Sequence, residues 1–354
     1  MLTEADIIRY SRQIVLQDIG LEGQERLLNS TAAIIGLGGL GSPASMLLAS
    51  MGIGKLILVD RDIVSKTDLH REPLYKEEDV ELPKVEAAEK RIREINPSIK
   101  IELYPEPVNH DNVDEIVSKA DVIIDGLDNM AARYIVNRAV VRHRKPYVFA
   151  GAIEMYGNVT SIIPHETPCL ECFYNVYDYE SLPTCATVGV HPSITFVIAA
   201  IEVEEAVQIL INGRPKLYKK LLYIDLRTMD FEKISIERVE TCPVCGAKPS
   251  GAPRDVSLPD AEVSCSRDGS AVYIVNKVDR GLDMESVSGI VKEMGWRVGR
   301  RSRYSLSFSI DSGRKAVILS SGVLIGLSKK HSEENLIFFK GLRDRLVRDA
   351  IHIR

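Results

Sequence analysis

The strongest constraint on the fold of this chain is a cluster of four glycines within six residues, Gly36-Leu37-Gly38-Gly39-Leu40-Gly41. It follows an apolar run that predicts a buried strand and precedes a stretch that predicts a helix. Gly38 and Gly39 remove side chains where the backbone must approach a nucleotide, and Gly41 permits close helix–strand packing. The helix N-terminus then offers free N–H groups and partial positive charge to phosphate. Asp60 ends the next predicted strand, where its carboxylate can accept hydrogen bonds from ribose hydroxyls.

Predicted strands and helices alternate along the first two thirds of the chain. The predicted strands cover residues 31–36, 55–60, 100–105, 120–128, 146–152, 158–164 and 221–228. The predicted helices cover residues 3–30, 42–51, 84–95, 130–143 and 193–210. Such alternation predicts an α/β fold with a doubly wound, Rossmann-like parallel sheet.

The pattern changes after GAKPSGAPRD (246–255), a segment rich in Gly, Pro and Ala that predicts a linker. Beyond it come the predicted strands AVYIVN, YSLSFSID and KAVILSSG, together with helices over 283–294 and 332–349. A chain of 354 residues is also too long for one ordinary core. We therefore expect a nucleotide-binding domain over 1–250 and a small α+β accessory domain over 251–354.

The composition of the chain limits the classes of partner that the protein can bind. The net charge of −5 argues against nucleic-acid binding by the whole protein. However, residues 256–354 carry 17 Lys and Arg against 12 Asp and Glu, so the two parts should meet different partners or each other. No stretch approaches the ~20 apolar residues of a membrane helix. The N-terminus lacks the apolar core of a secretory signal, and we expect a cytoplasmic protein with no membrane partner.

Three charged residues favour ATP over NAD. Arg71, Lys84 and Asp128 lie near predicted strand ends or helix starts, and ligands bind at that edge of an open α/β sheet. Arg71 and Lys84 can neutralise a polyphosphate, while Asp128 can hold magnesium. Hydride transfer requires neither, so an NAD-dependent oxidoreductase is the disfavoured alternative.

The ordered motifs resemble those of the E1-like activating enzymes of the MoeB/ThiF/HesA family, relatives of ubiquitin-activating enzyme. The resemblance covers about residues 3–246. It is carried by RYSRQIVLQDIGLEGQERL (9–27), IIGLGGLGSPASMLLASMGIGKLILVDRDIVS (34–65), PKVEAA (83–88), DGLDNMAARYIVN (125–137), GAIEMYGNVT (151–160), CLEC (169–172) and CPVC (242–245).

The resemblance implies an adenylyltransferase that uses ATP and Mg²⁺. Its substrate would be the C-terminal glycine of a ubiquitin-like sulfur-carrier protein ending in Gly-Gly, with release of pyrophosphate. The implied roles are a nucleotide cradle for Gly38, Gly39 and Gly41, ribose binding for Asp60, phosphate contact for Arg71 and Lys84, and magnesium coordination for Asp128. Arg12, in RYSRQ, would reach the γ-phosphate in the partner subunit's site, so the resemblance also implies a homodimer.

One segment departs from the family pattern. The family usually has S-N-L-x-R-Q where this chain has Thr67-Asp68-Leu69-His70-Arg71-Glu72. Asp68 cannot donate as an amide does, and Glu72 replaces a neutral side chain. Two carboxylates beside a triphosphate are unfavourable unless they bind metal or are paired. We expect Asp68 either to contact the nucleotide or a metal, or to be tolerated without a role.

Four of the six cysteines form two C-x-x-C pairs, Cys169 with Cys172 and Cys242 with Cys245. In a reducing compartment this spacing predicts a metal site rather than disulfides. Four thiolates suit tetrahedral Zn²⁺ and leave no open coordination position, so the zinc should be structural.

The fifth cysteine, Cys185, lies in PTCATVGVHPSIT, which resembles the family segment that carries a conditional cysteine. In relatives that cysteine can form a thioester or a persulfide-linked bond with the carrier. A helix N-terminus would lower its thiol pKa, and a loop cysteine without a covalent role is the alternative. We expect Cys265 to be inert and Arg133 to help phosphate binding or loop geometry rather than chemistry.

Several alternatives stay open from the sequence. The accessory domain lacks a rhodanese-type loop and only weakly resembles part of a TATA-binding-protein-like repeat. Its basic charge suits recruitment of an acidic carrier, a sulfurtransferase or tRNA, or dimerisation. The whole chain could instead adenylate another carboxylate or a tRNA base, or act as a non-catalytic carrier-binding scaffold.

Overall fold

A computed structural model describes residues 2–174, 188–265 and 269–352 of the chain. The first sheet has eight strands in the order β3-β2-β1-β4-β5-β6-β7-β8. These are β1 (Thr31–Ile35), β2 (Lys55–Val59), β3 (Lys100–Tyr104), β4 (Val122–Asp125), β5 (Tyr147–Ile153), β6 (Tyr156–Ile162), β7 (Lys220–Asp225) and β8 (Asp230–Ser235). Its helices are α1 (Glu4–Arg9), α2 (Ser11–Ile14), α3 (Gly20–Asn29), α4 (Gly41–Met51), α5 (Lys84–Ile95), α6 (Val113–Ser118), α7 (Met130–His143), α8 (Leu170–Phe173) and α9 (Pro192–Asn212).

Strands β3, β2, β1, β4 and β5 are parallel and covered on both faces. Successive residues of β1 point to opposite faces. Ile34 therefore belongs to the apolar cluster that includes residues of α4, α5 and α9, whereas Ile35 belongs to the cluster that includes residues of α6 and α7. The predicted doubly wound parallel sheet is confirmed, with these five strands as its parallel part.

The remaining three strands of the sheet, β6, β7 and β8, are antiparallel, a feature that the predicted parallel sheet did not include. Glu154 and Met155 alone join β5 to β6, and so short a connection forces the strands to run in opposite directions. β6, β7 and β8 continue antiparallel. All residues of β8 are exposed, so it lacks the apolar pattern that would have predicted it. The segment predicted to be helical over 3–30 forms three helices, α1, α2 and α3.

The second sheet is antiparallel in the order β11-β12-β13-β14-β10-β9. Its strands are β9 (Ala261–Cys265), β10 (Ala271–Val275), β11 (Arg297–Arg301), β12 (Ser305–Ser309), β13 (Arg314–Leu319) and β14 (Leu324–Ser328), and its helices are α10 (Met284–Glu293) and α11 (Glu333–His352). Residues of both helices, such as Val287 and Phe339, pack with Phe308 of β12 in one core. A smaller cluster of Val317, Leu319 and Val323 packs against Ile63, so the second sheet contacts the first domain.

The predicted linker lies between the last strand of the first sheet and the first strand of the second. The segment just after it is not free of the first domain. Val256 is buried in the cluster that includes residues of α6 and α7, and its carbonyl oxygen lies 2.7 Å from Nε2 of His110. Within the described ranges, no helix is both long and apolar enough to span a membrane.

The turn after β1 is fixed by a backbone crossing, the close approach of Gly41 and Gly126 to the carbonyl oxygen of Gly36. A Cβ on Gly41 would lie 1.8 Å from the carbonyl oxygen of Gly36, and a Cβ on Gly126 would lie 2.0 Å from the same oxygen. Only glycine fits at both positions, because no L side chain tolerates such contacts with backbone. The turn after β1, the start of α4 and the turn after β4 are therefore held in direct contact.

We predict that Gly41→Ala lowers the free energy of unfolding by at least about 3 kcal/mol, since its methyl group would overlap backbone that cannot move independently. Gly289→Ala in α10 is the matched control, because a Cβ there meets no atom within 4 Å. It should leave stability unchanged or raise it by about 1 kcal/mol. Denaturant unfolding of both variants measures the difference, and equal stabilities would contradict the crossing.

Candidate functional site

The candidate site lies at the carboxyl ends of three neighbouring strands, β2, β1 and β4. The glycine loop 36–41 follows β1, Asp60 follows β2, and Asp128 lies three residues after β4. Parallel strands end at the same edge, so the fold brings these sequence-predicted residues together. Lys84 reaches the edge as the first residue of α5.

Asp60 joins the glycine loop to the turn after β2. Its Oδ2 accepts a hydrogen bond from the Leu37 N–H at 2.6 Å, and its Oδ1 accepts one from the Asp62 N–H at 2.7 Å. Burial raises the pKa of Asp60, although Lys84 and these two amides oppose the change. A carboxylate has about four lone-pair sites, so Asp60 can still accept a hydroxyl hydrogen.

Four charged side chains form a compact set beside the glycine loop, here called the charge quartet: Arg71, Lys84, Asp68 and Glu72. Lys84 Nζ lies 3.0 Å from Glu72 Oε2 and 3.5 Å from Asp68 Oδ2. Arg71 Nη2 lies 3.2 Å from Asp68 Oδ1 and 3.4 Å from Glu72 Oε1. Each cation therefore faces both acids. The two unusual carboxylates are paired, which is one of the conditions under which the sequence predicted that they could be accommodated.

Burial sets the protonation of the charge quartet. Glu72 is only 1% exposed. Burial, reinforced by Asp68, raises the pKa of Glu72 to about 7, despite the opposing charges of Lys84 and Arg71. Burial alone would lower the pKa of Lys84, but the surrounding carboxylates, Glu72 foremost, raise it well above its usual value. Lys84 therefore stays charged while Glu72 titrates near neutral pH.

The glycine loop opens toward this charge quartet. A Cβ on Gly38 would lie 3.7 Å from Glu72 Oε1, and one on Gly39 would lie 3.6 Å from Arg71 Cδ. Side chains at these two positions would fill the space between the loop and the cations. Thr195, in the first turn of α9, forms another wall, because its Cγ2 lies 3.2 Å from the same Gly39 position.

Asp128 is exposed on the loop before α7. Its neighbour Asn129 donates to its Oδ1 at 3.2 Å and caps α7 by accepting the Ala132 N–H at 2.9 Å. Arg133 shapes the loop as expected, since it donates to the Leu127 carbonyl at 2.7 Å and to Asp125 Oδ2 at 3.0 Å. The loop therefore presents the Asp128 carboxylate to solvent at the edge where the nucleotide is predicted.

Sequence reasoning missed three residues of this edge. Asp62 lies beside Asp60, and burial together with Asp60 raises its pKa to about 7. Tyr75 is buried and donates from its hydroxyl to the Leu37 carbonyl at 2.9 Å beneath the glycine loop. Arg61 contacts the second sheet. Arg61 and Asp62 had a sequence signal, because both follow Asp60 in the matching VDRD segment, whereas Tyr75 had none.

Two of the predicted site residues, Arg12 and Cys185, are not among the described residues that meet at this edge of the sheet. Arg12 lies on α2, is exposed, and has no ion pair within the part of the chain that the structure describes. Cys185 lies outside the described residues.

The four cysteines of the two C-x-x-C pairs form a second candidate site. Sγ of Cys169 lies 3.9 Å from that of Cys172 and 3.7 Å from that of Cys242, and Cys172 Sγ lies 3.4 Å from Cys245 Sγ. All four sulfur atoms lie within 4.8 Å of one another. Zinc–sulfur bonds of about 2.3 Å in a tetrahedron place sulfurs about 3.8 Å apart, so the cluster fits such an ion.

Known proteins resemble the part of the chain that forms the first sheet. Residues 10–244 match the ThiF family. The chain is 35% identical over 246 residues to a SAMP-activating enzyme E1 of Haloferax volcanii, covering 69% of this chain and 91% of that protein. It is 36% identical over 256 residues to a sulfur carrier protein adenylyltransferase of Thermus thermophilus, covering 70% and 94%. A crystal structure of E. coli MccB with ATP superposes with a TM-score of 0.60 at 25% identity, covering 67% of this chain and 74% of that one.

The raised pKa of Glu72 predicts a pH-dependent contribution to stability. The neutral carboxyl favours the folded state fully below its ordinary pKa of 4.5, and this contribution is lost as pH rises through about 7. We subtract the unfolding free energy of Glu72→Gln from that of the wild type at each pH. This difference should fall by up to about 3 kcal/mol between pH 4.5 and 8.

Glu78→Gln is the control for this measurement. Glu78 is exposed, and a hydrogen bond from Lys90 lowers its pKa. The corresponding difference for Glu78 should rise slightly with pH, which is the opposite direction. A Glu72 difference that stays constant across this range would contradict the proposed protonation.

Proposed function

The chain belongs to the ThiF family, as its motifs predicted, and on that premise we propose that it activates a ubiquitin-like sulfur-carrier protein. The named relatives confirm the predicted adenylyltransferase class. In the proposed reaction, an oxygen of the carrier's C-terminal glycine carboxylate attacks the α-phosphorus of ATP. The bond from that phosphorus to the bridging oxygen breaks, and pyrophosphate leaves with the electron pair.

The observation that carries the proposal is the convergence of Arg71 and Lys84 on the open face of the glycine loop. Two cations beside a helix N-terminus suit a triphosphate, and a dinucleotide's pyrophosphate needs only the loop. Catalysis of this reaction depends mainly on positioning and on neutralising charge. Asp60 would accept the ribose hydroxyls, and Asp128 would hold a magnesium ion that neutralises charge on the phosphates.

The charge quartet suggests how this chain accommodates its two extra acids. In the absence of nucleotide, Asp68 and Glu72 neutralise Arg71 and Lys84. A triphosphate would take over these cations, and Glu72 can become neutral near pH 7 because burial has already raised its pKa. A neutral Glu72 leaves the charge of Lys84 available to phosphate.

Several further assignments belong to the same proposal. Arg12, exposed on α2, would serve the neighbouring subunit of a homodimer. Cys185 would act covalently on the activated carrier. Contact of the basic second domain with a sulfurtransferase or tRNA is also a proposal, and the two-domain division at residue 250 remains a prediction. The four-cysteine cluster would hold structural zinc.

ATP–pyrophosphate exchange tests the activity. We predict exchange that depends on a carrier ending in Gly-Gly, and its loss by at least about 100-fold in Asp128→Asn, since magnesium would lose its carboxylate ligand. Asp111→Asn is the matched control, because Asp111 is exposed on a loop after β3 that holds no predicted site residue.

The outcomes separate the alternatives. Exchange without a carrier would indicate another acceptor, such as a different carboxylate or a tRNA base. No exchange with intact ATP binding would leave a carrier-binding scaffold. Binding of NAD in place of ATP would favour the oxidoreductase alternative.

We predict that the purified protein contains zinc and that Cys242→Ser releases it, because three thiolates bind the ion less well than four. Loss of the metal should lower the free energy of unfolding by at least about 3 kcal/mol. Elemental analysis and thermal unfolding measure both effects. Cys265→Ser, which changes a cysteine outside the cluster, should leave the metal content unchanged, and retention of zinc by Cys242→Ser would argue against the site.

A further inference from the structure

The second domain lies outside the family match at residues 10–244, yet it contacts the edge of the nucleotide site. The contact is made by Arg61, the residue between Asp60 and Asp62. Its side chain is only 14% exposed. A guanidinium buried to this degree needs partners for its donors, and the second domain supplies them.

Arg61 is held by two side chains of the second domain, Glu262 in β9 and Asn276 just after β10. Its Nη1 donates to Glu262 Oε1 at 2.8 Å and its Nη2 to Glu262 Oε2 at 2.7 Å, which is a bidentate pair. Nη1 also donates to Asn276 Oδ1 at 2.7 Å. Asn276 Nδ2 in turn donates to Glu262 Oε1 and to the Pro259 carbonyl, both at 2.9 Å. Planar, charge-assisted bonds of this kind fix the position of Arg61 in several directions.

The position of Arg61 matters because its neighbours connect the elements of the site. Asp60 accepts the amide hydrogens of Leu37 and Asp62, so the turn after β2 is tied to the glycine loop. The Asp62 carbonyl accepts the Lys84 N–H at 2.9 Å, so the same turn is tied to the start of α5. A shift of Arg61 would therefore move the ribose acid and the phosphate lysine together.

The second sheet holds the same region at further points. Ile63 packs against Val317, Leu319 and Val323. Arg300 donates to the Glu78 carbonyl at 2.6 Å, and Lys315 lies 3.5 Å from Glu81. Both contacts fall on the segment that leads into Lys84. A recruitment module on a flexible tether would have no need for contacts concentrated on these two segments.

We propose that Glu262 and Asn276 are positioning residues for nucleotide binding, which rests on the proposed function. They hold Arg61, and through it they keep Asp60 aligned with the ribose hydroxyls. The accessory domain thus completes the nucleotide site in addition to any recruitment role. Loss of the contact between the accessory domain and Arg61 would weaken ATP binding more than it slowed the chemical step.

Calorimetric binding of ATP, 2′-deoxy-ATP and 3′-deoxy-ATP to the full chain, with magnesium, tests this inference. Wild type should bind ATP about tenfold more tightly than at least one deoxy analogue, since a charged acceptor loses its hydroxyl partner. Glu262→Ala should weaken ATP about tenfold and the analogue that the wild type binds less tightly much less, so the preference should nearly disappear. In exchange assays it should raise KM for ATP much more than it lowers kcat.

Arg280→Ala is the matched control. Arg280 also joins the two domains, because its Nε lies 2.9 Å from Glu106 Oε2 after β3, but it contacts neither the turn 60–62 nor Lys84. It should keep the ribose preference of the wild type. Arg61→Ala and the double variant Arg61→Ala/Glu262→Ala should lose as much affinity as Glu262→Ala alone, because one interaction is removed in each case. Glu262→Gln, which preserves volume, should show a smaller effect in the same direction if the alanine variant does not fold.

Three outcomes overturn the inference: unchanged ATP binding in Glu262→Ala, equal weakening of all three nucleotides, or the same loss of preference in Arg280→Ala. A wild type that binds ATP without any ribose preference would also overturn it while leaving the proposed adenylation intact. A wild type that binds no ATP would overturn the proposed function, and the inference with it.

Discussion

The carbonyl oxygen of Gly36 lies where three segments meet, and the architecture of the site depends on that crossing. Gly41 and Gly126 can approach it only because neither has a side chain. Close approach of the turns after β1 and β4 brings the helix N-terminus and the Asp128 loop to one edge. Backbone packing therefore places the loop amides, Asp60 and Asp128 at one edge of the sheet before any ligand is considered.

Charge at this edge is balanced within the protein. Within the charge quartet, the acids neutralise both Arg71 and Lys84, so burial beside the loop does not leave isolated charges. In the proposed function, nucleotide would compete with Asp68 and Glu72 for these two cations. Burial raises the pKa of Glu72 to about 7, so this carboxyl can take up a proton near neutral pH and release its hold on the cations. Ligand binding and proton binding are therefore linked in this arrangement.

The two domains meet through ionic contacts of complementary sign. Basic side chains of the second domain, such as Arg280 and Lys315, face acids of the first, while Arg61 reverses the pattern by reaching Glu262. These contacts surround the turn after β2 and the segment before α5. The uneven charge of the two halves thus serves contact between them, whatever other partner the remaining basic residues meet.

The sequence by itself determined the local features. The helices predicted over 84–95 and 130–143 have the same bounds in the structure, and the glycine loop and the cysteine pairs were evident from spacing alone. These features are specified by residues close together in the chain, whose periodicity and backbone demands are visible in the sequence. Tertiary structure decided the three antiparallel strands of the first sheet, the pairing of Glu72 with Lys84, and the contact of Arg61 with Glu262, 201 residues away. Such contacts depend on how distant segments pack, and a charged residue carries no local pattern that names its partner.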